Sequence, residues 1–377
     1  MFAVSLVIAS SANNMNFNSF FLRSFRILLF PFSLLYGLVI IARNFLYNNK
    51  IFHSASFNLP VICVGNLSLG GTGKSPMVEY LLALLHNNYQ TATLSRGYKR
   101  KTKGYALANE HTNALDIGDE PMQFHIKFPD VAVAVGEERI VAIPQLLHDK
   151  PETQVIILDD AFQHRAIKAG LNIVLTVYND LFVDDFFFPT GDLRDQKISI
   201  KRAHIIVVTK CPLNLSEDEK EKIIQQLKPA AQQHVFFTAL QYQTPYHIIT
   251  KYTKPVSIND EVLLVCGIAN PQPLKDHISE NCAAYEHVSY GDHHIFSDED
   301  LKDINKKFER IQSPNKLIIT TEKDAVRFLK FKEQLMNVPL YVLPVRSVFL
   351  FNEAENFNLA IVDFINSFKK EVVENEV

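Results

Sequence analysis

The sequence predicts an α/β protein with a parallel sheet and a glycine-rich loop, a second, smaller α/β unit, and an apolar helix near the N-terminus. Three observations predict it. Short apolar runs alternate with helical segments after residue 50, a turn ending in Gly73-Lys74-Ser75 stands between a strand and a helix, and residues 17–47 are mostly Phe, Leu, Ile and Val. A length of 377 residues exceeds one ordinary core, so we expect two units.

The N-terminal apolar segment predicts attachment to a membrane. Its uncharged part, residues 27–42, is shorter than the ~20 residues that cross a bilayer unaided, and Pro31 and Gly37 interrupt it. The segment spans if its flanking arginines reach the headgroups, and otherwise it lies in the interface. A buried helix of a soluble domain is the alternative. A signal peptide fits poorly, because no clear small-residue cleavage site follows the apolar part. Residues 1–14 are expected to be disordered, with Met15 as an alternative start.

After residue 50 the chain alternates between strands and helices, which predicts parallel pairing and a sheet covered on both faces. Nearly continuous apolar composition of the strands agrees with such burial. The strands are expected at residues 61–65, 91–95, 131–135, 155–158, 173–177 and 205–209, and helices at residues 77–87, 122–127 and 139–147.

A charged helix at residues 216–229, with a capping pair of Ser216 and Glu219, precedes a second set of strands. These strands are expected at residues 235–240, 262–265, 316–320 and 340–343, with helices at residues 298–310 and 325–335. We therefore expect three parts: a tail and membrane-associated helix (1–50), a larger unit with the glycine-rich loop (51–230), and a smaller unit closing over the site (231–377).

Composition argues against several classes of protein. A formal net charge of −3 gives no general case for nucleic-acid binding, and 47% hydrophobic with 21% charged residues indicates a folded chain. The four cysteines are far apart and form no C-x-x-C pair, which argues against a disulfide framework and suits a cytosolic location for the folded part.

The glycine-rich loop predicts a nucleoside triphosphate site. Its sequence is Ser68-Leu69-Gly70-Gly71-Thr72-Gly73-Lys74-Ser75. Backbone N–H groups of such a loop surround phosphate oxygens, Lys74 reaches the β- and γ-phosphates, and the Ser75 hydroxyl binds Mg²⁺. Ser68 replaces the usual first glycine, and a turn without chemical consequence is the alternative. The candidate binding residues are Gly70, Gly71, Thr72, Gly73, Lys74 and Ser75.

Two adjacent acids, Asp159 and Asp160, follow the aliphatic strand at residues 155–158. A buried parallel strand delivers them to the carboxyl edge of the sheet, where they can bind Mg²⁺ directly or through water. An exposed acidic turn is the alternative.

An acid–histidine pair is the candidate for proton transfer. Asp119 lies in Gly118-Asp119-Glu120-Pro121, where helix capping alone explains it, and His293 lies in a loop of the second unit. A carboxylate beside an imidazole can accept a proton from a substrate hydroxyl. Metal ligation and simple surface histidines are the alternatives.

Three further runs have weaker patterns. Arg96, Lys99 and Arg100 follow a strand and suit an anionic substrate, with a solvated loop as the alternative. Asp195 ends the turn-rich run Pro189-Thr190-Gly191-Asp192-Leu193-Arg194-Asp195, for which a surface ion pair is the alternative. Thr321-Glu322-Lys323-Asp324-Ala325 leaves a strand and opens a helix, which ordinary capping explains in part.

Taken together, these segments resemble the tetraacyldisaccharide 4'-kinases of lipid A biosynthesis. The resemblance extends from the N-terminal segment to about residue 329, with the motifs in the same order. The matching segments are residues 64–76, 94–98, 118–121, 158–164, 189–195, 292–294 and 321–325.

The resemblance implies ATP-dependent phosphorylation of the 4'-hydroxyl of an acylated disaccharide 1-phosphate, giving lipid IVA, at the cytoplasmic face of the inner membrane. It implies ATP and Mg²⁺ as cofactors, membrane lipid and the lipid substrate as partners, and neither nucleic acid nor an obligate protein partner. Two α/β/α units then face each other across a cleft, with the N-terminal helix in the bilayer.

Residue roles follow from the same resemblance. Asp119, oriented by His293, accepts the proton, while Lys74 stabilises the phosphates. Ser75, Asp159 and Asp160 serve Mg²⁺, and Arg96, Lys99 and Arg100 meet the existing phosphate of the substrate. Asp195 stands where the family has Glu, so its shorter carboxylate leaves direct metal contact open, and Ala161 replaces a family glycine.

A membrane-tethered P-loop NTPase switch or metallochaperone is the alternative function. However, Leu69 stands where such proteins often have an extra lysine, and the sequence has no Cys/His clusters. A non-catalytic nucleotide-binding scaffold is a second alternative.

Overall fold

The structure, a computed structural model, describes residues 26–375, with side chains through residue 368. The predictions for residues 1–14 and for Met15 lie outside the described residues, as does the beginning of the apolar segment.

Fourteen strands are present in the described part of the chain. They are β1 (Val61–Asn66), β2 (Thr91–Ser95), β3 (Ala106–Leu107), β4 (Ala132–Val135), β5 (Val155–Asp159), β6 (Leu171–Val177), β7 (Ile205–Thr209), β8 (His234–Tyr242), β9 (Tyr246–His247), β10 (Glu261–Cys266), β11 (Ala284–Ser289), β12 (Lys316–Thr321), β13 (Leu340–Leu343) and β14 (Val345–Phe349).

Ten α-helices lie between and around these strands in the same described range. They are α1 (Phe30–Asn48), α2 (Lys74–Leu85), α3 (Ala114–Ile117), α4 (Asp119–Lys127), α5 (Arg139–Asp149), α6 (Glu217–Leu227), α7 (Gln272–Asn281), α8 (Asp298–Arg310), α9 (Glu322–Phe328) and α10 (Ala354–Asn375).

The larger sheet has the order β14-β8-β7-β6-β1-β5-β2-β4-β3 and is parallel except at its two edges. Every residue of β1, β2, β5 and β7 is buried, as the aliphatic runs predict for strands covered on both faces. Met77, Phe124 and Phe357 from α2, α4 and α10 pack on one face. Ile143 and Ile223 from α5 and α6 pack on the other.

The smaller sheet has the order β11-β10-β12-β13-β9 and is parallel apart from β9. Leu301 of α8 and Phe328 of α9 cover one face, and Leu274 and Ile278 of α7 cover the other. The carboxyl ends of β11 and β12 thus carry the loop of His293 and the start of α9.

One strand pairs differently from the sequence prediction. The run at 235–240, expected in the smaller unit, lies in β8 and pairs in parallel with β7 of the larger sheet. The chain returns in β14, which pairs with β8, and α10 then packs on the larger sheet. Apolar composition indicates a strand but not the sheet it joins, so the sheets depart from the expected division at residue 230. Division into separately folding units stays a prediction.

Helix α1 confirms the predicted N-terminal helix. Among the described residues, Ile27–Asn48 is the helix long and apolar enough to cross a membrane by length and composition. Pro31 lies in its first turn, where proline is tolerated. Gly37 lies against the Phe187 ring, and a Cβ there would come within 2.8 Å of that ring. Neither residue interrupts the helix.

Candidate phosphate-transfer site

The glycine-rich loop lies between β1 and α2, as predicted. Gly70 and Gly73 have φ angles of 98° and 84°, in the left-handed region that favours glycine, and α2 begins at Lys74. Ser68 forms a short antiparallel bridge with Leu193, an extended geometry that any residue adopts. The loop therefore has the helix N-terminus and the lysine that suit an anion, although its first glycine is replaced.

Asp160, just after β5, is an acid beside that lysine. Its Oδ1 lies 3.7 Å from Lys74 Nζ, and Arg194 donates to both carboxylate oxygens, with 3.1 Å from Nη1 to Oδ2. Burial acts to raise the pKa of Asp160, but Arg194 and Lys74 outweigh it, so the pKa is lowered. The carboxylate stays ionised next to the phosphate-binding loop.

Asp159 ends β5 and is a buried acid without a full set of partners. Its Oδ1 has no hydrogen-bond partner within the described residues. Burial, and then the charge of Asp160, raises the pKa of Asp159 to about 7. A buried carboxylate with a free oxygen fits a hard divalent cation, and Ser75 opens α2 at the same edge of the sheet. Ser75 and Asp159 therefore fit Mg²⁺, and the metal role of Asp160, whose two oxygens both accept from Arg194, stays a prediction.

Asp195 has a different environment from the one predicted. It is 1% exposed, and its Oδ1 accepts from Asn44 Nδ2 at 2.7 Å and from the Ser199 hydroxyl at 2.9 Å. Its Oδ2 pairs with Arg202 Nη2 at 2.9 Å. Because these donors contact both oxygens, Asp195 ties α1 to the loop that carries Arg194, and its metal contact, direct or through water, stays a prediction.

The acid–imidazole couple, Asp119 and His293, joins the unit of the larger sheet to the unit of the smaller sheet. Asp119 begins α4 and His293 lies after β11, and His293 Nδ1 is 2.5 Å from Asp119 Oδ2. Both side chains are less than a tenth exposed. Two residues 174 positions apart thus meet as the sequence predicted, although their chemical roles stay a prediction.

Arg327 of α9 completes this group and was not singled out from the sequence. Its Nε donates to Asp119 Oδ1 at 2.8 Å, and its Nη2 donates to Asp119 Oδ2. Burial acts to raise the pKa of Asp119, but Arg327 and His293 outweigh it and lower the pKa to about 2. The only sequence signal for Arg327 is its place two residues after the motif at residues 321–325.

Lys323, inside that motif, contacts the other side of the imidazole. Its Nζ lies 3.2 Å from His293 Nε2, 2.9 Å from Asp292 Oδ1 and 3.7 Å from Glu120 Oε1. The capping predicted for this motif is also present, because the Thr321 hydroxyl accepts from the Asp324 amide at 3.1 Å. The motif therefore both starts α9 and contacts the couple.

The predicted cationic run divides into two parts. The Arg100 side chain is 2% exposed and its Nη2 donates to Glu137 Oε1 at 2.7 Å and to the carbonyl of Gly104, so its predicted contact with substrate is corrected to a loop-fixing role. Arg96 and Lys99 are exposed. Of these, Lys99 lines the cavity beside the couple.

That cavity has a volume of about 660 Å³ and lies against Asp119 and His293. Its walls are mainly apolar, and Lys99 and Lys330 contribute ammonium groups. Apolar lining residues include Leu115, Met122, Ile295, Val326 and Leu329. Such a pocket suits a ligand with an apolar portion and a polar reacting group.

These features define a P-loop phosphotransferase. A phosphate-binding loop, acids that fit a metal at the adjacent strand end, and an acid–imidazole couple formed between the two units are the parts needed for phosphoryl transfer to a hydroxyl. Glu120 connects the two groups of residues, since it lies near Lys323 and its charge also acts on Asp159.

Comparison with known proteins identifies the family. The model of the tetraacyldisaccharide-1-P 4'-kinase family matches residues 25–365. A tetraacyldisaccharide 4'-kinase of Flavobacterium johnsoniae is 48% identical over 342 residues, which cover 90% of this chain and 97% of the relative. One of Bacteroides thetaiotaomicron is 41% identical over 352 residues, covering 89% and 92%. The crystal structure of LpxK from Aquifex aeolicus in complex with ATP has a TM-score of 0.71 at 26% identity, covering 90% and 99%.

The chain therefore belongs to the tetraacyldisaccharide-1-P 4'-kinase family, and it is an ATP-dependent kinase of lipid A biosynthesis. The predicted fold class and family are confirmed. Membership favours the kinase over the NTPase switch, the metallochaperone and the scaffold.

Proposed function

We propose that this kinase transfers the γ-phosphoryl group of ATP to the 4'-hydroxyl of a tetraacyldisaccharide 1-phosphate, giving lipid IVA, at the membrane surface. The observation that carries the proposal is the contact between Asp119, in the unit that carries the phosphate-binding loop, and His293 of the smaller unit.

At the nucleotide, the loop amides and Lys74 hold the phosphates and stabilise the charge that develops on the leaving diphosphate. Ser75, Asp159 and Asp160 would hold Mg²⁺, which neutralises phosphate charge when it is bound. Among the described residues no group of three or more His, Cys, Asp or Glu forms a complete metal site. The remaining ligands would then come from phosphate and water, as is usual for Mg²⁺.

At the acceptor, the couple removes the proton of the 4'-hydroxyl as the oxygen attacks the γ-phosphorus. The apolar cavity beside Asp119 suits an acylated sugar, and the exposed Arg96 and Lys99 suit its existing phosphate.

Helix α1 would attach the enzyme to the cytoplasmic face of the inner membrane, lying in the interface rather than spanning. Arg26, Ser33 and Asn44 bond Asp192, Thr190 and Asp195 at 2.7 Å each. These contacts are distributed along about 27 Å of the helix. If the helix crossed the bilayer, the loop bonded to it would therefore lie in the hydrocarbon region.

The opposite face of α1 is apolar and exposed. Among its exposed residues are Phe30, Leu34, Leu38, Ile41 and Phe45. Such a face suits insertion among acyl chains.

Incubation of the purified protein with radiolabelled ATP and tetraacyldisaccharide 1-phosphate in detergent micelles, followed by chromatography, tests the proposal. We expect a labelled lipid that Lys74→Ala abolishes and Lys302→Met, an exposed change on α8, preserves. Label in free phosphate alone would overturn the proposal and favour an NTPase.

A further inference from the structure

Helix α1 carries three polar side chains on one side of an otherwise apolar helix. Ser33, Tyr36 and Asn44 form this polar stripe, in which Ser33 and Asn44 are 4% and 3% exposed. Attachment to a membrane through the apolar face needs none of these polar groups. We infer that the polar stripe positions the phosphate-binding loop for ATP through residues 189–195, the bridging segment, independently of membrane attachment. The inference rests on the proposed function, which assigns the phosphates of ATP to this loop.

The polar stripe holds one side of the bridging segment. The Ser33 hydroxyl donates to Thr190 Oγ1 at 2.7 Å and accepts from the Thr190 amide at 2.9 Å. Asn44 Nδ2 donates to Asp195 Oδ1 at 2.7 Å, near the other end of the segment. Polar groups buried on an apolar helix are costly without partners, so these bonds fix α1 in one position against the segment.

The other side of the bridging segment pairs with the beginning of the phosphate-binding loop. The Leu69 amide donates to the carbonyl of Asp192 at 2.7 Å, and the Arg194 amide donates to the carbonyl of Leu67 at 2.9 Å. Gly70, the next residue of the loop, lies in open space, because a Cβ there would meet no atom within 4 Å. The first half of the phosphate-binding loop therefore depends on the bridging segment for its position.

Arg194 extends this connection to the charged groups of the site. Its carbonyl accepts from the Tyr36 hydroxyl at 3.2 Å, and its guanidinium donates to Asp160 and to Asn66 Oδ1. The same Asn66 oxygen lies 3.4 Å from Lys74 Nζ. Displacement of α1 from the segment would therefore loosen both the loop backbone and the lysine that reaches the phosphates.

An exposed ion pair adds to these contacts but does not carry the inference. Arg26 Nη2 lies 2.7 Å from Asp192 Oδ1, and the two side chains are 32% and 41% exposed. Ion pairs in contact with water contribute little. Removal of a hydrogen bond has its largest effect at buried groups, so the decisive variants are those of the polar stripe.

The double variant Ser33→Ala/Asn44→Leu tests the inference. It removes the buried hydrogen bonds to the bridging segment and makes α1 more apolar, so sedimentation with phospholipid vesicles should be kept. We expect the Kd for a non-hydrolysable ATP analogue with Mg²⁺, measured by isothermal titration calorimetry in detergent micelles, to increase roughly fivefold to tenfold. At saturating ATP, kcat should stay within about threefold of wild type, because the acid–imidazole couple is unchanged.

Two controls separate positioning from attachment and from general loss of stability. Ser279→Ala/Asn281→Leu makes the same changes at the end of α7 and should leave the Kd within about twofold of wild type. Leu38→Glu, on the apolar face of α1, should reduce vesicle sedimentation and leave the Kd within about twofold. Thermal unfolding shows whether each variant is folded at the temperature of the titration. An increase in Kd for Leu38→Glu equal to that of the double variant would overturn the inference, since ATP affinity would then follow attachment.

Tyr36→Phe decides the matter if the double variant does not fold. It removes only the hydroxyl that donates to the carbonyl of Arg194, so we expect the Kd to increase roughly twofold to threefold. Tyr252→Phe, at a residue 69% exposed in the smaller unit, is its control and should have the Kd of wild type.

A Kd equal to that of wild type in the folded double variant overturns the inference, as does an equal increase in the α7 control. If the double variant is unfolded, a wild-type Kd in Tyr36→Phe overturns it. These titrations need no lipid acceptor. Absence of labelled lipid from the wild type would therefore overturn the proposed transfer to lipid without deciding whether α1 positions the phosphate-binding loop.

Discussion

Asp119 shows how much one side chain at this site depends on its neighbours. Its carboxylate joins α4 of one unit to the imidazole and guanidinium of the other. We predict that Asp119→Ala lowers turnover roughly 10²–10⁴-fold while the affinity for ATP changes little, because the carboxylate contacts His293 and Arg327 of the smaller unit. Steady-state kinetics and equilibrium nucleotide binding measure the two effects. Unchanged turnover would remove Asp119 from the mechanism.

Asp195 makes the contrasting case of a buried acid whose two oxygens contact donors from other parts of the chain. We predict that Asp195→Ala lowers the unfolding temperature and leaves the Mg²⁺ concentration for half-maximal activity within about twofold, since Asp195 holds Asn44 and Arg202. Asp160→Asn, beside Lys74, should instead raise that Mg²⁺ concentration severalfold. Thermal unfolding and Mg²⁺ titration of the activity check both variants. A raised Mg²⁺ requirement in Asp195→Ala would support its predicted metal contact.

These residues also show what the sequence can and cannot predict. Asp119 and His293 were found because each sits in a short polar motif at the end of an element. Arg327 was missed because a single arginine inside a helix has no local pattern, and its partner is 208 positions away. Arg100 has a side chain suited to a substrate phosphate, and Asp195 has one suited to a metal. The sequence does not reveal that Arg100 pairs with Glu137 and that Asp195 pairs with Arg202.

At the scale of elements, a second polar contact joins α2, α4 and α9. Lys127 Nζ lies 2.6 Å from Glu79 Oε2 and 2.7 Å from Glu322 Oε1, so two buried carboxylates share one ammonium. Burial, and then the charge of Glu322, raises the pKa of Glu79 to about 7 against the opposing effect of Lys127. The helix of the phosphate loop is thus connected to the helices that carry the couple.

This contact predicts a pH-dependent contribution to stability. Because the pKa of Glu79 is raised from 4.5 to about 7 on folding, the stabilisation it gives when protonated is present below about pH 4.5 and is lost as the pH rises through about 7. Glu79→Gln removes that titration. Its unfolding temperature relative to wild type should therefore increase between about pH 5 and pH 8. Thermal unfolding across this range measures it, with Glu221→Gln on the exposed face of α6 as control, and parallel curves for Glu79→Gln and wild type would contradict it.

Helix α1 allows a prediction about membrane binding. Leu38 is 62% exposed and lies on the face opposite Ser33 and Asn44. We predict that Leu38→Glu reduces sedimentation with phospholipid vesicles several-fold, because a charge on the inserted face opposes burial in hydrocarbon. Ile258→Glu, at a residue 73% exposed in the smaller unit, is the matched control. Equal loss in both variants would argue against a specific membrane face on α1.

At the scale of the whole molecule, the smaller sheet is an insertion within the larger one. Tyr242 at the end of β8 lies directly opposite Val345 at the start of β14 in an antiparallel register. The chain leaves for the smaller sheet after the first and returns at the second. Sequence reasoning could not predict this arrangement, because strand pairing between distant segments is set by tertiary packing and not by local composition.

The insertion predicts which shortened chain folds. Replacing residues 243–344 by an Asn-Gly turn should give a hairpin between β8 and β14, since the two strands are already opposite each other. This chain keeps α10, whose Phe357, Ile361 and Ile365 are fully buried against the larger sheet, so we expect a cooperative thermal transition and retained ATP binding. It lacks His293, Lys323 and Arg327, so lipid phosphorylation should be lost. A chain that ends at residue 230 loses β8, β14 and α10 and should aggregate. Cooperative folding of that chain would contradict the insertion as the organising feature of the molecule. Failure of the hairpin chain to fold would contradict it as well.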